Sequence, residues 1–307
     1  MKTKRKRRYT REGYVLLLIA VPFILYIFAM SYVPLFGWLL SLYNFRPGLG
    51  FDLTVQEFTG IKNFLQIWND RSEVGRAVTN SLALNGLGYL FSWAPMFFAI
   101  AMSEVRGRKY KRVVQTITTF PNFISWIVVF GIAEAFFSNN GFFIRLIMAM
   151  GFKRPSIPLL ANVNVAWITQ ALIGLWKGVG WGAIIYLAAI SGVDTSLYES
   201  AQIDGAGKLR RIWHITIPGI IETYFVLFLL GLAGLLSGFE QYFVFAYNNS
   251  ATIKRLLTVE LYVFRNAFMS NGYSYSIAVG IISSAISLSI LFTANYISKK
   301  IRGKSVV

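Results

Sequence analysis

Residues 13–44 form a run of 32 positions without a single charge. A bilayer core needs about 20 consecutive apolar residues, so this run is long enough to cross a membrane with tilt. Pro22 and Pro34 inside it are tolerable as kinks. It exceeds the ~7–15 apolar residues of a secretory signal peptide and lacks an A-x-A site, which points to a retained anchor. Five further apolar segments, at 77–103, 113–137, 165–190, 219–247 and 277–297, join residues 14–43 to give six expected spans. Composition agrees. Charged residues make up 14% of the chain, 55% is hydrophobic, and mean hydropathy is +0.54. Soluble domains carry about 25% charged residues, so a water-soluble globule is excluded.

The net charge of +17 is explained by its placement. Seven Lys and Arg lie in residues 1–13, five at 106–112, three at 208–211 and four at 299–304, nineteen on one side of the expected spans. The other three loops hold ten, over longer segments, and Lys177 stays inside the fourth span. By the positive-inside bias both termini should be cytoplasmic. The basic run Lys4–Arg8 in isolation would suit nucleic acid, but it abuts an apolar span and alternates with the other basic loops. No nucleic-acid partner is expected. The chain has no cysteine and one histidine, His214. This excludes disulfides and cysteine catalysis and leaves little scope for a metal site.

The loops on the other face are long. Residues 46–76 mix acids and bases around Gly48, Gly50 and Gly60, and 138–164 contain Pro155 and Pro158. Residues 252–269 place Leu256, Leu257, Leu261, Val263, Phe264 and Phe268 at roughly helical spacing, which predicts a short amphipathic helix at the outer surface.

The most informative segment lies between the fourth and fifth spans. Residues 197–204 read as a short helix, with Glu199 near its positive end and Gly205 placed to leave it in a left-handed conformation. Leu209, Ile212 and Trp213 form an apolar stripe, and Pro218 suits the first turn of the next membrane helix. The result is a helix–turn–helix on the cytoplasmic face, either a docking surface or a capped connector.

Here the sequence resembles the permease subunits of binding-protein-dependent ABC importers. Their signature is Glu-Ala-Ala, three residues, Gly, nine residues, then Ile-x-Leu-Pro. This chain has Glu199, Ser200 and Ala201, then Gly205, then Ile215, Ile217 and Pro218, departing only at Ser200 and Ile217. Ile203-Asp204-Gly205-Ala206 is similar to the carbohydrate-importing branch, and the run from Phe120 to Trp126 to its oligosaccharide and polysaccharide subgroup. Tyr32-Val33-Pro34, Thr59 to Phe64, Asn80-Ser81-Leu82 and Trp176-Lys177 with Gly180-Trp181 extend the likeness over most of the chain.

The resemblance implies an all-α type I importer permease. Basic tails would occupy 1–13 and 298–307, the first span and an outer loop 14–75, and a core domain 76–297, with a coupling loop at 191–218. That loop would dock on a cytoplasmic ATPase. Glu199 would pair with a base there, Ser200 and Ala201 allow close approach, Asp204 helps, Gly205 sets the turn, and Ile215, Ile217 and Pro218 seat the loop. The chain has no G-x-x-x-x-G-K-[ST] motif, so ATP and Mg would sit on the partner and this chain binds no cofactor. A second homologous permease, two ATPases and an extracytoplasmic solute-binding protein are the implied partners, in a bacterial plasma membrane.

Sugars need aromatic faces and hydrogen-bonding groups, so Tyr89, Trp93, Trp126 and Tyr242 are pathway candidates. Lys177 and Glu240, ionisable groups within spans, join them. A structural lysine bonded to carbonyls is the rival for Lys177, and lipid-interface belts are the rival for the aromatics. Glu134 fits a wet mouth. A secondary transporter would carry its own coupling-ion chemistry, often in repeated halves with broken helices, and neither feature is visible in the sequence. An intramembrane enzyme lacks H-E-x-x-H, an intramembrane histidine and any aspartate within a span.

Overall fold

The computed structural model describes residues 11–248 and 250–302. The basic residues at 2–8 and Lys304 lie outside them. The described residues fold as two compact units, 11–69 with 266–281, and 70–248 and 250–265 with 282–302.

In the first unit, α1 (Arg11–Ile27) runs on through a π turn, Phe28–Tyr32, and a 3-10 stretch, Val33–Leu42. The helix changes type around Pro34, which lacks the N–H a regular α-helix needs. A short ribbon follows, β1 (Tyr43–Asn44) pairing antiparallel with β2 (Glu57–Phe58). Gln56 fills the turn between them, accepting from Arg46 N at 2.9 Å and donating to Gly50 O at 2.9 Å. Helix α2 (Lys62–Asn69) places Asn63 so that its amide donates to Ser41 O at 2.8 Å.

The regular elements of the second unit are helices among the described residues. It contains α3 (Arg71–Leu90), α4 (Ala94–Ser103), α5 (Arg108–Thr119), α6 (Trp126–Phe137), α7 (Phe142–Ala149) and α8 (Ala166–Ser191). Next come α9 (Thr195–Ile203), α10 (Lys208–Arg211), α11 (Ile217–Leu232), α12 (Glu240–Tyr247) and α13 (Ile253–Leu256). Helices α14 (Val259–Met269) and α15 (Tyr273–Arg302) bridge to the first unit's residues. Among the described residues, six helical stretches are long and apolar enough to cross a membrane, and the third of them, Trp126–Ala149, begins later than the expected 113–137.

Helix α8 is the spine. Met96, Ala99 and Ile100 of α4, Ala183 and Tyr186 of α8 and Ile220 of α11 form a buried cluster. Small residues set the helix approach. A Cβ on Gly180 would overlap the Thr118 carbonyl oxygen of α5, and one on Gly219 would stand 2.8 Å from Val193 Cγ2.

Three spans read as continuous are interrupted. The second turns at Phe91–Trp93 before Pro95. The third passes from α5 through a 3-10 turn, Phe120–Phe123, to an extended Ile124, and Ser125 caps α6. The fifth opens between Leu232 and Glu240, around Gly234 and Gly238, the latter at φ +125. Pro121 removes a helical donor, and the glycine run Gly231, Gly234, Gly238 weakens a helix. The outer helix also departs from expectation. It splits at Leu257–Thr258, and Leu256, Leu257, Val259, Leu261 and Tyr262 are buried, so this is an inserted element rather than a surface helix. Asn80 of α3 donates to Lys254 O and Leu257 O, and Ser81 Oγ accepts from Val259 N at 2.9 Å. Those bonds explain why it is drawn in.

Candidate coupling loop and membrane pathway

Helix α9 is capped at both ends by short-range rules. Asp194 accepts from Ser196 N at 2.9 Å, and this bond to the Ser196 backbone, then one to its side chain, holds the Asp194 carboxyl below its ordinary value. At the other end Ala206 N donates to Ala201 O at 2.8 Å and Gly205 N to Gln202 O at 3.1 Å. That pair is the Schellman arrangement, and Gly205 takes φ +73.

The second half of the loop differs from expectation. Helix α10 is not separate: a π turn, Ile212–Thr216, joins it to α11, so one helical rod runs from Lys208 to Leu232. The wider turn, in which Ile217 N donates to Ile212 O, accommodates Pro218, whose missing N–H would interrupt a regular helix. Tyr198 OH lies 3.0 Å from Thr216 Oγ1 and ties α9 to this turn.

Glu199, Ser200, Asp204, Gly205 and Pro218 are exposed, Ala201 and Ile215 are half-buried, and Ile217 packs against the Met96–Ile220 cluster. Of the apolar stripe, Ile212 packs inward on that cluster while Leu209 and Trp213 stay exposed. Ile203, at the tip of α9, is 87% exposed.

The pathway candidates are scattered. Lys177 is buried and donates from Nζ to Asn122 O at 2.8 Å and Pro121 O at 3.2 Å, 5.2 Å from the Trp126 ring centre. It therefore closes the open carbonyls of the third-span break and draws Trp126 to the same place. Tyr89 OH donates to Gly231 O, and Tyr242 is buried with its hydroxyl 3.5 Å from Asn85 Oδ1. Trp93 is exposed at the start of α4, edge-on to Phe97, and Glu240 is exposed at the start of α12. Glu134 borders a cavity of about 330 Å³ with Ser138, Asn139 and Asn140.

Asn85, which sequence reading passed over, holds the fifth-span break open. Its amide donates to Leu235 O at 2.8 Å and Ser237 O at 2.7 Å. Gly238 contributes a third anchor, its N donating to Glu260 at 2.9 Å and its O accepting from Thr258. The glycines of the fifth span were the available signal. Backbone freed from a helix at membrane depth is tolerated only where protein or a wet cavity satisfies it, and these side chains do so.

Residues 95–303 match the family described as the binding-protein-dependent transport system inner membrane component. The chain is 36% identical to the protein LplB of Bacillus subtilis (strain 168), over 93% of this chain and 88% of that one. It is 32% identical to the polygalacturonan/rhamnogalacturonan transport system permease protein YteP of the same strain, over 97% and 92%. Among solved structures, it resembles a chain of a bacterial ABC transporter involved in the import of the acidic polysaccharide alginate. That match has TM-score 0.81 and 29% identity, over 95% of this chain and 97% of the other. A structure of the bacterial alginate ABC transporter with its alginate pentasaccharide-bound periplasmic protein gives 0.82 and 28%, over 96% and 97%.

Proposed function

The chain belongs to the binding-protein-dependent transport system inner membrane components, and on that premise we propose how it couples, what it assembles with and what it carries. It is a multi-pass inner-membrane permease of a sugar ABC importer, a transport subunit rather than an enzyme. The proposed cargo is an oligosaccharide or polysaccharide, for which YteP and the alginate importer are the supporting likenesses. Both termini are cytoplasmic, so the Asp194–Pro218 loop faces an ATPase, and ATP and Mg belong to that subunit. A second permease completes the pathway, and a solute-binding protein delivers the saccharide from outside.

The observation that carries the coupling role is the tip of α9. A helix of nine residues, fixed at both ends, presents Glu199 and an 87% exposed Ile203 outward. With Leu209 at 73% and Trp213 at 61% exposed on the same short polar segment, Ile203 is one of three large apolar side chains left uncovered there, which suits a protein contact, and Glu199 adds a charge for a basic partner. ATP-driven closure of the ATPase pair would then move α9, and Tyr198 and Ile217 would pass the movement to α11 and the core.

The test is co-purification from native membranes under crosslinking, with mass spectrometry of what is recovered. A second permease, an ATPase and a solute-binding protein are expected. Recovery without any ATPase would overturn the coupling assignment. In the reconstituted complex, Glu199→Lys should abolish binding-protein-stimulated ATP hydrolysis while the chain stays in the membrane.

A further inference from the structure

Helix α5 has two faces that do not suit a common neighbour. Tyr110, Val113 and Ile117 are exposed and apolar. Arg112, Gln115, Thr116 and Thr119 recur at helical spacing, and at about 100° per residue they fall on a different side from the apolar three. With Phe120, Phe123 and Ile184 these four polar residues line an open groove of about 360 Å³. Arg112 makes no hydrogen bond or ion pair among the described residues. Thr119 Oγ1 is shut away from solvent without a partner, whereas its neighbour Thr118 bonds Val114 O at 2.8 Å.

Gln115, Thr116 and Thr119 fall within the expected third span, where polar groups facing lipid would be costly and ordinarily face a cavity or the bundle interior, and Arg112 stands at its edge. The groove ends at the third-span break that Lys177 closes from α8, where Phe123 stands edge-on to Trp181. It thus offers hydroxyl and amide groups, two exposed aromatic faces and one free cation, the set a carboxylated sugar chain requires.

We propose that this stripe is the stretch of the translocation path nearest the cytoplasm, and that Arg112 makes it favour saccharides bearing carboxylates. The inference rests on the importer reading above, which supplies the orientation. In use, a sugar ring slides along Phe120 and Phe123 while its hydroxyls exchange partners between Gln115 and Thr116. Arg112, at the Arg108 end of α5, attracts the anionic chain toward the exit.

The chain has no cysteine, so single cysteines report position directly. Gln115→Cys, Thr116→Cys and Ile117→Cys are each assembled in the full importer, in inside-out membrane vesicles. Each is treated with a charged, membrane-impermeant methanethiosulfonate, either the anionic ethylsulfonate or the cationic ethyltrimethylammonium. The first two are expected to react at least about tenfold faster than Ile117→Cys, and anion over cation by about fivefold, a preference that Arg112→Gln removes. Labelling should change when ATP and vanadate trap the ATPase. If both stripe positions stay unreactive in every nucleotide state while binding-protein-stimulated ATP hydrolysis is normal, the stripe faces lipid or a second permease and the proposal is overturned. Reactivity with no charge preference overturns the role of Arg112. If the unsubstituted assembly shows no stimulated ATP hydrolysis, the importer reading itself has failed.

Discussion

The loop from Asp194 to Pro218 and the breaks inside the third and fifth spans are both departures from straight helix, yet they are held in opposite ways. In the loop most bonds that fix the backbone join residues two to five apart, as between Asp194 and Ser196 or Ala201 and Ala206. In the spans the partners are distant in sequence. Lys177 reaches back 55 residues to Asn122, and Asn85 forward 150 to Leu235. A local device forms wherever its few residues occur. A long-range device exists only once the helices have assembled, so damage to it is felt by the whole bundle.

That contrast would break if close approach to α5 proved dispensable. Gly180→Val should give the largest loss, about 3 kcal/mol or more, because the new side chain meets the Thr118 main chain rather than a movable group. Little monodisperse protein should survive size-exclusion chromatography in detergent. Gly178→Val, one turn's fraction away with nothing within 4 Å of its Cβ, should elute as the parent does.

Lys177→Met tests the third-span break. It removes two charge-assisted bonds to Pro121 O and Asn122 O, each buried or partly so, at about 2–3 kcal/mol. A lowered melting temperature in detergent and faster amide exchange at 122–126 are expected. An unchanged melt would mean that the break holds itself, like the loop.

Asn85→Leu should cost less, about 1–2 kcal/mol, since Tyr89, Thr258 and Glu260 still hold the fifth-span segment. Amide exchange should rise between Leu235 and Gly238 while α8 stays protected.

The same division explains what could be read from sequence. The six spans, the cap at Gly205 and the α9 helix follow from run length, glycine chemistry and spacing, all visible within a window of a few turns. The breaks were not visible as breaks. Pro121 and the Gly231–Gly234–Gly238 run signalled weak helix, but whether a membrane helix opens there depends on Lys177 and Asn85 arriving from other spans. Residues 252–269 failed for a related reason. Their apolar spacing is helical, but Asn80 and Ser81 decide which side is buried and where the helix divides. The candidate pathway residues rest on residue type alone, and Tyr89, Trp126, Lys177 and Tyr242 each make contacts within the bundle that the sequence does not announce. The polar spacing of Arg112, Gln115, Thr116 and Thr119 lay in plain sequence, masked by the apolar average of its span.

The loop should respond to damage locally. Gly205→Ala forces an L side chain into φ +73, a cost of about 1–2 kcal/mol, and should loosen α9 without moving the melt of the bundle. Gly205→Asn should lie close to the parent, since asparagine tolerates that conformation.

The smallest effect belongs to Asp194→Ala, and it sharpens the contrast most finely. The Asp194 carboxyl lies below its ordinary value because it accepts from Ser196 N and then from the Ser196 side chain. A carboxylate lowered on folding stabilises above its unfolded value, and that contribution fades as pH falls through the lowered one. At neutral pH the variant should therefore exchange the Ser196 amide faster than the parent, with α11 unaffected. On acidification through the carboxylate range the two should converge, because the parent loses the same bond. A difference that persisted unchanged at the acid end would assign the first turn of α9 to contacts with the rest of the bundle. The loop would then belong with the span breaks rather than opposite them.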